Sequence, residues 1–266
     1  ILGQAVIVEN KPGGSSGVAA KLVATLPADG YTFYLCTVAN VINTVAKGAT
    51  EIDLSKDLMA VSMIGSVPNI LVVHPSLGVN TLSELIALLK AKPNEIAYAS
   101  AGNGTALHMA AMLFSMMADV KMTHIPYQGS NAAMSDLLAG RTSLMFVPAS
   151  TVMQYVNTGK LKALASTGLK RTAIAPEIPT LNEQGLNGFE SSVWFGLMSP
   201  NGLPEAIESS LNKAIAQAIQ SPEVQAQFRS QGIESTYLNS KDFSSYIKAE
   251  NDKWTKVIKG SNIKLY

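Results

Sequence analysis

Residues 100–140, SAGNGTALHMAAMLFSMMADVKMTHIPYQGSNAAMSDLLAG, constrain the fold more than any other stretch of this chain. They read as two strand–loop–helix units in succession. Each loop is built from Gly, Ser, Asn and Thr and runs directly into an apolar helix. Strands joined through helices are the repeating unit of α/β proteins with parallel sheets. The junction also has a chemical consequence. The first N–H groups of a helix have no partner inside it, and the peptide dipoles sum to a positive end there. Such a start binds an anion without a side-chain cation. The expectation is a small carboxylate held by main-chain amides at these two openings.

The rest of the chain keeps the alternation. Residues 5–9 form an apolar run of strand type, 10–17 a loop, 18–26 a helix, 27–30 a turn and 31–37 a strand. A loop through Asn40 and Asn43 follows. Residues 58–67 and 69–74 read as two buried strands broken at Pro68. Thr81-Leu82-Ser83-Glu84 is a capping box opening a helix over 82–90. A strand over 95–100, a loop over 102–105 and a helix over 106–117 come next, the helix apolar nearly all round and so buried on most sides. The second unit has a strand at 120–126, a loop at 127–131 and a helix at 132–139 ended by Gly140. Further strands are read at 143–147, 161–166, 192–198 and 233–238, with helices at 150–158, 206–220 and 222–230; Ser240 caps a last helix over 241–259. This order predicts an α/β fold with largely parallel sheets covered on both faces.

Composition narrows the function. Charged residues are 15% of the 266 positions and the net charge is +1, which gives no electrostatic case for nucleic acid or an anionic membrane surface. Arginine occurs at Arg141, Arg171 and Arg229, well apart, so no charge-based phosphate clamp is read from sequence. Cys36 is the single cysteine, which excludes an intramolecular disulfide and suits a small buried side chain. No run approaches the ~18 apolar residues of a membrane span. His74, His108 and His124 lack metal-ligand spacing, so neither metal nor cofactor is expected; His108, one turn into a helix, suits a structural hydrogen bond. The loop at 10–17 lacks the ending of a P-loop and reads as a helix-initiating turn. No Gly-x-Ser-x-Gly elbow is present and no acid is placed to orient a histidine, so no catalytic residues are assigned.

The residues then resemble one family. Its motifs are matched by Gly3-Gln4-Ala5-Val6-Ile7-Val8-Glu9-Asn10-Lys11-Pro12-Gly13, by Pro27-Ala28-Asp29-Gly30-Tyr31-Thr32, and by Ser100-Ala101-Gly102-Asn103-Gly104-Thr105 with His108. Ile125-Pro126-Tyr127-Gln128-Gly129-Ser130, Pro179-Thr180-Leu181 with Glu183 and Gly185, and Trp194-Phe195-Gly196-Leu197 with Pro200 continue them in order. The chain resembles the Bug-type, TctC-like solute-binding proteins of the tripartite tricarboxylate transporter family. The resemblance implies a type II Venus-flytrap fold of two α/β lobes around a cleft, with residues 1–98 plus 197–266 as lobe 1 and 99–196 as lobe 2. It implies a strand and a Pro/Gly-rich loop ahead of Ile1 that this sequence lacks. The abrupt opening Ile1-Leu2-Gly3-Gln4, read as the end of a helix, agrees with a missing upstream segment. It further implies a periplasmic, secreted bacterial monomer that captures a small carboxylate, dicarboxylic or aromatic, for a membrane transporter and performs no chemistry. The alternatives are a receptor signalling to a membrane kinase and, less favoured, a hydrolase on the same fold.

On this reading the ligand meets Thr37 and Asn40 from lobe 1. From lobe 2 it meets Ala101, Gly102, Asn103, Gly104 and Thr105 in the first loop and Tyr127, Gln128, Gly129, Ser130 and Asn131 in the second. Phe146, Val147 and Pro148 supply an apolar wall. Each group has a structural alternative: Thr105, Ser130 and Asn131 as helix caps, 37–40 as a plain loop, Phe146 and Pro148 as core. Family members often carry Asp after that Phe; Val147 in its place favours a ligand without a basic amine.

Overall fold

The computed structural model describes residues 1–11, 13, 17–48 and 52–261, so the expected loop at 10–17 lies partly outside the described residues. The elements are α1 (Gly17–Ala24), β1 (Tyr34–Thr37), α2 (Val38–Lys47), α3 (Leu54–Asp57), β2 (Leu58–Val73), α4 (Leu82–Ala91), β3 (Ala97–Ser100), α5 (Ala106–Ala118) and β4 (Thr123–Pro126). Then come α6 (Ser130–Leu138), β5 (Leu144–Pro148), α7 (Ala149–Asn157), β6 (Lys162–Ser166), β7 (Ser192–Pro200), α8 (Glu205–Gln220), α9 (Pro222–Gln231), β8 (Glu234–Leu238) and α10 (Ser240–Ser261). Among the described residues no helix is long and apolar enough to cross a membrane.

The chain forms two units: Ile1–Ser66 with Trp194–Lys259, and Val67–Val193. Both β2 and β7 contribute residues to each. The first division therefore falls inside β2 and not at residue 98, because the second half of β2 is bound into the sheet that also holds β3. The expected break at Pro68 is also corrected: β2 is one strand of 16 residues. Pro68 has no N–H to give a ladder, and it lies between the β8 ladder, which reaches Ser66, and the β5 ladder, which begins at Asn69.

In the first unit the strand order is β1-β7-β2, with β8 also on β2. Cys36 of β1 sits opposite Gly196 of β7, fully buried, and its thiol donates to the Gly196 carbonyl at 3.2 Å. Gly196 is required there, since a Cβ would lie 2.1 Å from the Phe243 ring of α10. Next to it Trp194 meets Phe243 edge-on at 5.6 Å. The buried Glu250 of α10 accepts from the indole N–H of Trp194 at 2.9 Å and of Trp254 at 3.0 Å, and pairs with Lys253. A buried carboxylate is tolerable only when paired and hydrogen-bonded in this way.

The second unit carries a sheet in the order β6-β2-β5-β3-β4. Here β3 pairs parallel with both β4 and β5, whereas β2 is antiparallel to β5 and β6. With β1–β7 and β2–β8 antiparallel as well, the sheets are mixed and not largely parallel. Helix–strand alternation does not reveal that β2 runs against its neighbours. Helix α5 packs on β3 and β5, as its all-round apolar sequence predicts, and α7 packs on β5.

Three local expectations are corrected. Residues 5–9 form no strand and leave Val6, Ile7 and Val8 about four-fifths exposed (77%, 83% and 82%), because an apolar run needs a pairing partner to become a strand. The loop through Asn40 and Asn43 is helix α2, opened by a capping box of Thr37 and Asn40. At α10 the capping oxygen is Asn239 Oδ1, which accepts from the Asp242 N–H at 3.0 Å, while the Ser240 hydroxyl donates to Glu208.

Glu250→Ala leaves two buried indole donors without an acceptor and is expected to cost about 3 kcal/mol in urea unfolding, against about 1 kcal/mol for Glu250→Gln, which keeps an amide oxygen in place. Equal losses for the two variants would show that the oxygen does not matter.

Candidate functional site

Parallel pairing fixes where the site is built. Strands β4, β3 and β5 are parallel neighbours, so their last residues, Pro126, Ser100 and Pro148, lie at one edge of the second unit's sheet. Helices α6, α5 and α7 start from that edge. From β3 the chain leaves through α5 to β4 on one side; from β5 it leaves through α7 to β6, beyond β2 on the other. Connections that diverge between adjacent strands open a crevice beyond their carboxyl ends, the usual ligand position in open α/β sheets.

The two loops of residues 101–105 and 127–129 are tied together. The Tyr127 N–H donates to the Ser100 carbonyl at 3.1 Å and the Gly129 N–H to the Ala101 carbonyl at 3.3 Å. Gly102 and Gly129 adopt φ of 128° and 104°, where a side chain is strained, and a Cβ on Gly102 would press on the Tyr127 carbonyl at 3.3 Å. Within the first loop most polar groups are already taken. The Gly102 N–H donates to Ser100 Oγ at 3.1 Å, and the Thr105 hydroxyl donates to the Gly102 carbonyl at 2.8 Å. Thr105 Oγ1 also accepts from the His108 N–H, so Thr105 is the N-cap of α5. The Gly104 N–H donates to His108 Nδ1 at 3.1 Å.

Helix α6 differs. Its N-cap is Gly129, which has no side chain to give, so the expected capping by Ser130 and Asn131 is corrected: both are helical residues in the first turn. Among the described residues the N–H groups of Ser130, Asn131 and Ala132 meet no protein acceptor. Helix α7 follows Pro148 and likewise has no side-chain cap. Ser130, Asn131, Gln128 and Asn103 are exposed, while Ala101, Gly102, Gly104, Thr105, Tyr127 and Gly129 are half-buried. The Tyr127 hydroxyl donates to Asp136 Oδ2 at 2.7 Å, and Asp136 also holds Arg141 at 2.8 Å. The Tyr127 and Arg141 bonds keep the Asp136 carboxyl below its ordinary value. The Arg141 charge is thus matched by a carboxylate.

Two of the three residues expected to form an apolar wall are taken up in the core. Phe146 and Val147 are fully buried. Phe146 packs against Phe114 of α5 at 5.9 Å, and Val147 lies on the opposite face in the core formed with α6 and α7. Alternation along β5 sends both inward to the two sides of the sheet, and Pro148 alone of the three is half-buried. Thr37 and Asn40 belong to the first unit. Asn40 Oδ1 accepts from the Thr37 N–H at 3.0 Å and its Nδ2 donates to the Tyr34 hydroxyl at 2.7 Å, where burial pushes the phenol up to about 12.

Sequence reasoning missed a stack beneath the first loop. His108 and His124 lie face to face with ring centroids 4.0 Å apart, and Tyr98 stacks on His124 at 4.8 Å. His124 Nε2 is 2.7 Å from Ser100 Oγ. The parity was available: Tyr98 and Ser100 share a face of β3, and Tyr98 is the ladder partner of His124. Ser100 is fully buried, and among the described residues no carboxylate bonds His124, so the pair anchors a loop and does not form a hydrolytic triad. Burial disfavours the charged imidazole in both: it lowers His124 and, with the nearby His124 charge adding, brings His108 down to about 3. Among the described residues no cluster of His, Cys, Asp and Glu suits a metal ion.

Comparisons with known proteins bear on the family and the fold. A family model described as tripartite tricarboxylate transporter family receptor, TctC, matches residues 1–263. Protein BugT of Bordetella pertussis is 32% identical over 99% of this chain and 82% of its own length. The solved structure of R. palustris Rpa4515 with adipate is 32% identical with a TM-score of 0.78, covering 97% of this chain and 87% of that one. A TctC solute-binding protein from Polaromonas, solved without ligand, is 26% identical with a TM-score of 0.85 over 96% of this chain and 86% of that one.

The histidine stack sets a pH dependence. Unfolded, both imidazoles titrate near 6.5; folded, they titrate lower, so below about 6.5 the unfolded chain binds more protons and stability falls. His108, with its value down at about 3, is expected to withdraw about 2 kcal/mol between pH 7 and pH 5. Urea midpoints at pH 7, 6 and 5 should fall in wild type and flatten in His108→Leu; parallel pH curves for the two would refute the assignment.

Proposed function

The chain belongs to the tripartite tricarboxylate transporter receptor family, and from that premise we propose that it is an extracytoplasmic solute-binding protein that captures a small dicarboxylate and performs no chemistry on it. The observation that carries this is the open start of α6: three successive amides, on Ser130, Asn131 and Ala132, with no protein acceptor and no capping side chain. They lie beside a loop that is held to them by two backbone bonds and that carries the exposed Asn103. A carboxylate is the natural acceptor for such a group. Charge-assisted hydrogen bonds contribute about 1.5–3 kcal/mol each. Three or four give about 4.5–12 kcal/mol before an association cost of about 4 kcal/mol or more, so micromolar binding, near ~8 kcal/mol, is the upper limit of what they supply.

The relative solved with adipate supports a dicarboxylate in preference to a single acid group. Adipate carries its two carboxylates at the ends of an apolar chain, and this edge of the sheet offers main-chain donors and the half-buried Pro148 and Tyr127 instead of side-chain cations. Arg141 is held by Asp136, which leaves the site without an uncompensated guanidinium from that residue. The family further supports delivery of the bound acid to a membrane transporter of the tripartite type from the periplasmic side. On this reading Gln128, Ser130, Asn131 and Asn103 meet the ligand, and Thr105 acts as the cap that holds α5.

Replacing an amide tests the mechanism directly. Proline is tolerated at the first helical position and has no N–H. Ser130→Pro is expected to raise the calorimetric Kd for adipate at least tenfold, whereas Ser130→Ala, which removes only the hydroxyl, changes it no more than about threefold. Wild-type protein that binds no mono-, di- or aromatic carboxylate at millimolar concentration would end the proposal.

A further inference from the structure

Among the described residues of the second unit, His108 is one of four buried polar side chains left with an unpartnered atom, beside Asn69, Thr142 and Ser166. It is fully buried, in the first turn of α5. Its Nδ1 accepts the Gly104 N–H, and its Nε2 is buried with no partner among the described residues. With Nδ1 serving as acceptor, the proton of a neutral ring sits on Nε2 and is left as an orphan donor. An orphan buried donor is a liability, about 1–3 kcal/mol in typical proteins, which an apolar residue of similar volume would avoid.

What the histidine does in return is fix a peptide. Gly104 has φ of 69°, and its N–H points to the ring. That bond settles the direction of the 103–104 peptide and, with the Thr105 cap beside it, the exit of the loop into α5. The ring is held flat by its stack on His124, which in turn reaches Ser100 at the entry of the same loop. Tyr98 also lies against His124, at 4.8 Å, and 6.3 Å from His108. Entry and exit of the loop are therefore clamped by one aromatic cluster.

We propose that His108 is a positioning residue for carboxylate capture: by accepting the Gly104 amide it holds the loop of residues 101–105 in the one shape that presents its remaining donors beside the open start of α6. This rests on the solute-binding reading. It assigns Gly104 a role opposite to that of a ligand donor, since its amide is turned inward. The titratable groups facing the ring are His124 of β4 and Tyr98 of β3, with the Ser100 hydroxyl behind them. Burial keeps the ring neutral throughout the neutral pH range, as an acceptor at Nδ1 requires.

The test compares His108→Leu, which removes the acceptor, with His108→Asn, whose Oδ1 stands near the Nδ1 position. Adipate affinity is expected to fall at least tenfold in His108→Leu while its melting temperature stays within a few degrees of wild type, and to return to within about threefold of wild type in His108→Asn. Amide exchange gives a second reading without ligand: Gly104 is protected in wild type and His108→Asn and exchanges fast in His108→Leu. Unchanged affinity in His108→Leu, or equal Gly104 protection in all three proteins, overturns the inference. So does loss of binding in both variants with a matching loss of stability, which marks a purely structural residue. Wild type that binds no carboxylate defeats the solute-binding reading instead, and the exchange experiment still decides the clamp.

Discussion

A helix that starts at the end of a parallel strand must do something with its first amides, and the second unit depends on how differently its helices answer. Three helices elsewhere are capped by hydroxyls, Thr37 at α2, Thr81 with Glu84 at α4 and Ser221 at α9, while α7 and α8 follow prolines and have no side-chain cap. At the sheet edge formed by β4, β3 and β5, α5 is capped by Thr105, whereas α6 has Gly129 and no cap. Glycine at that position gives up only about a few tenths of a kcal/mol against Ser, Thr, Asn or Asp, so leaving α6 without a capping oxygen costs little. The chain has Ser and Asn in the next two positions and places them inside the helix instead. The amides left open are those an outside acceptor can use.

The same economy of backbone groups explains how β2 passes from one unit to the other. Proline in a strand removes a ladder donor, and the residue after it must find its own acceptor. Asn69 donates its N–H to Thr167 Oγ1 at 2.8 Å, and Thr167 returns its N–H to the Asn69 carbonyl at 2.9 Å. The Thr167 hydroxyl then donates to the Ser191 carbonyl at 2.8 Å, so a buried side chain stands in for part of the ladder. A continuous strand through Pro68 is possible because this threonine is there. No local pattern around Pro68 announces it, since the partner lies far along the chain.

What was legible in the sequence follows the range of the interactions. The capping box at Thr81 and Glu84 is complete within one turn, and the all-round apolar α5 is a property of its own residues. Both are legible from local sequence. The equivalent box at Thr37 and Asn40 resembles a loop in sequence, because Asn at that position is rarer than Glu and Asn signals turns. Residues 5–9 have the composition of a strand, but composition does not supply a neighbour. Strand direction, the inward turn of Phe146 and Val147, and the stacking of His124 on His108 all depend on register between distant segments.

The glycines of the two loops do not act as the donors that the sequence suggests. Sequence reasoning took Gly102, Gly104 and Gly129 as places where the backbone comes close to a ligand. Each has a positive φ, and each gives its N–H to the protein: to Ser100 Oγ, to His108 Nδ1 and to the Ala101 carbonyl. Their contribution is shape. A left-handed residue turns the chain so that the following amides, on residues with side chains, lie at the helix start and stay unpaired. Binding by such a site therefore depends on two separable things: the number of open amides on α6, and the internal bonds that keep the neighbouring loop from closing over them or collapsing away. A substitution that adds a Cβ at Gly129 acts on the second without touching the first. A proline at Ser130 acts on the first and leaves the second in place, since the glycine before it already has the ψ of 163° that a residue ahead of proline favours.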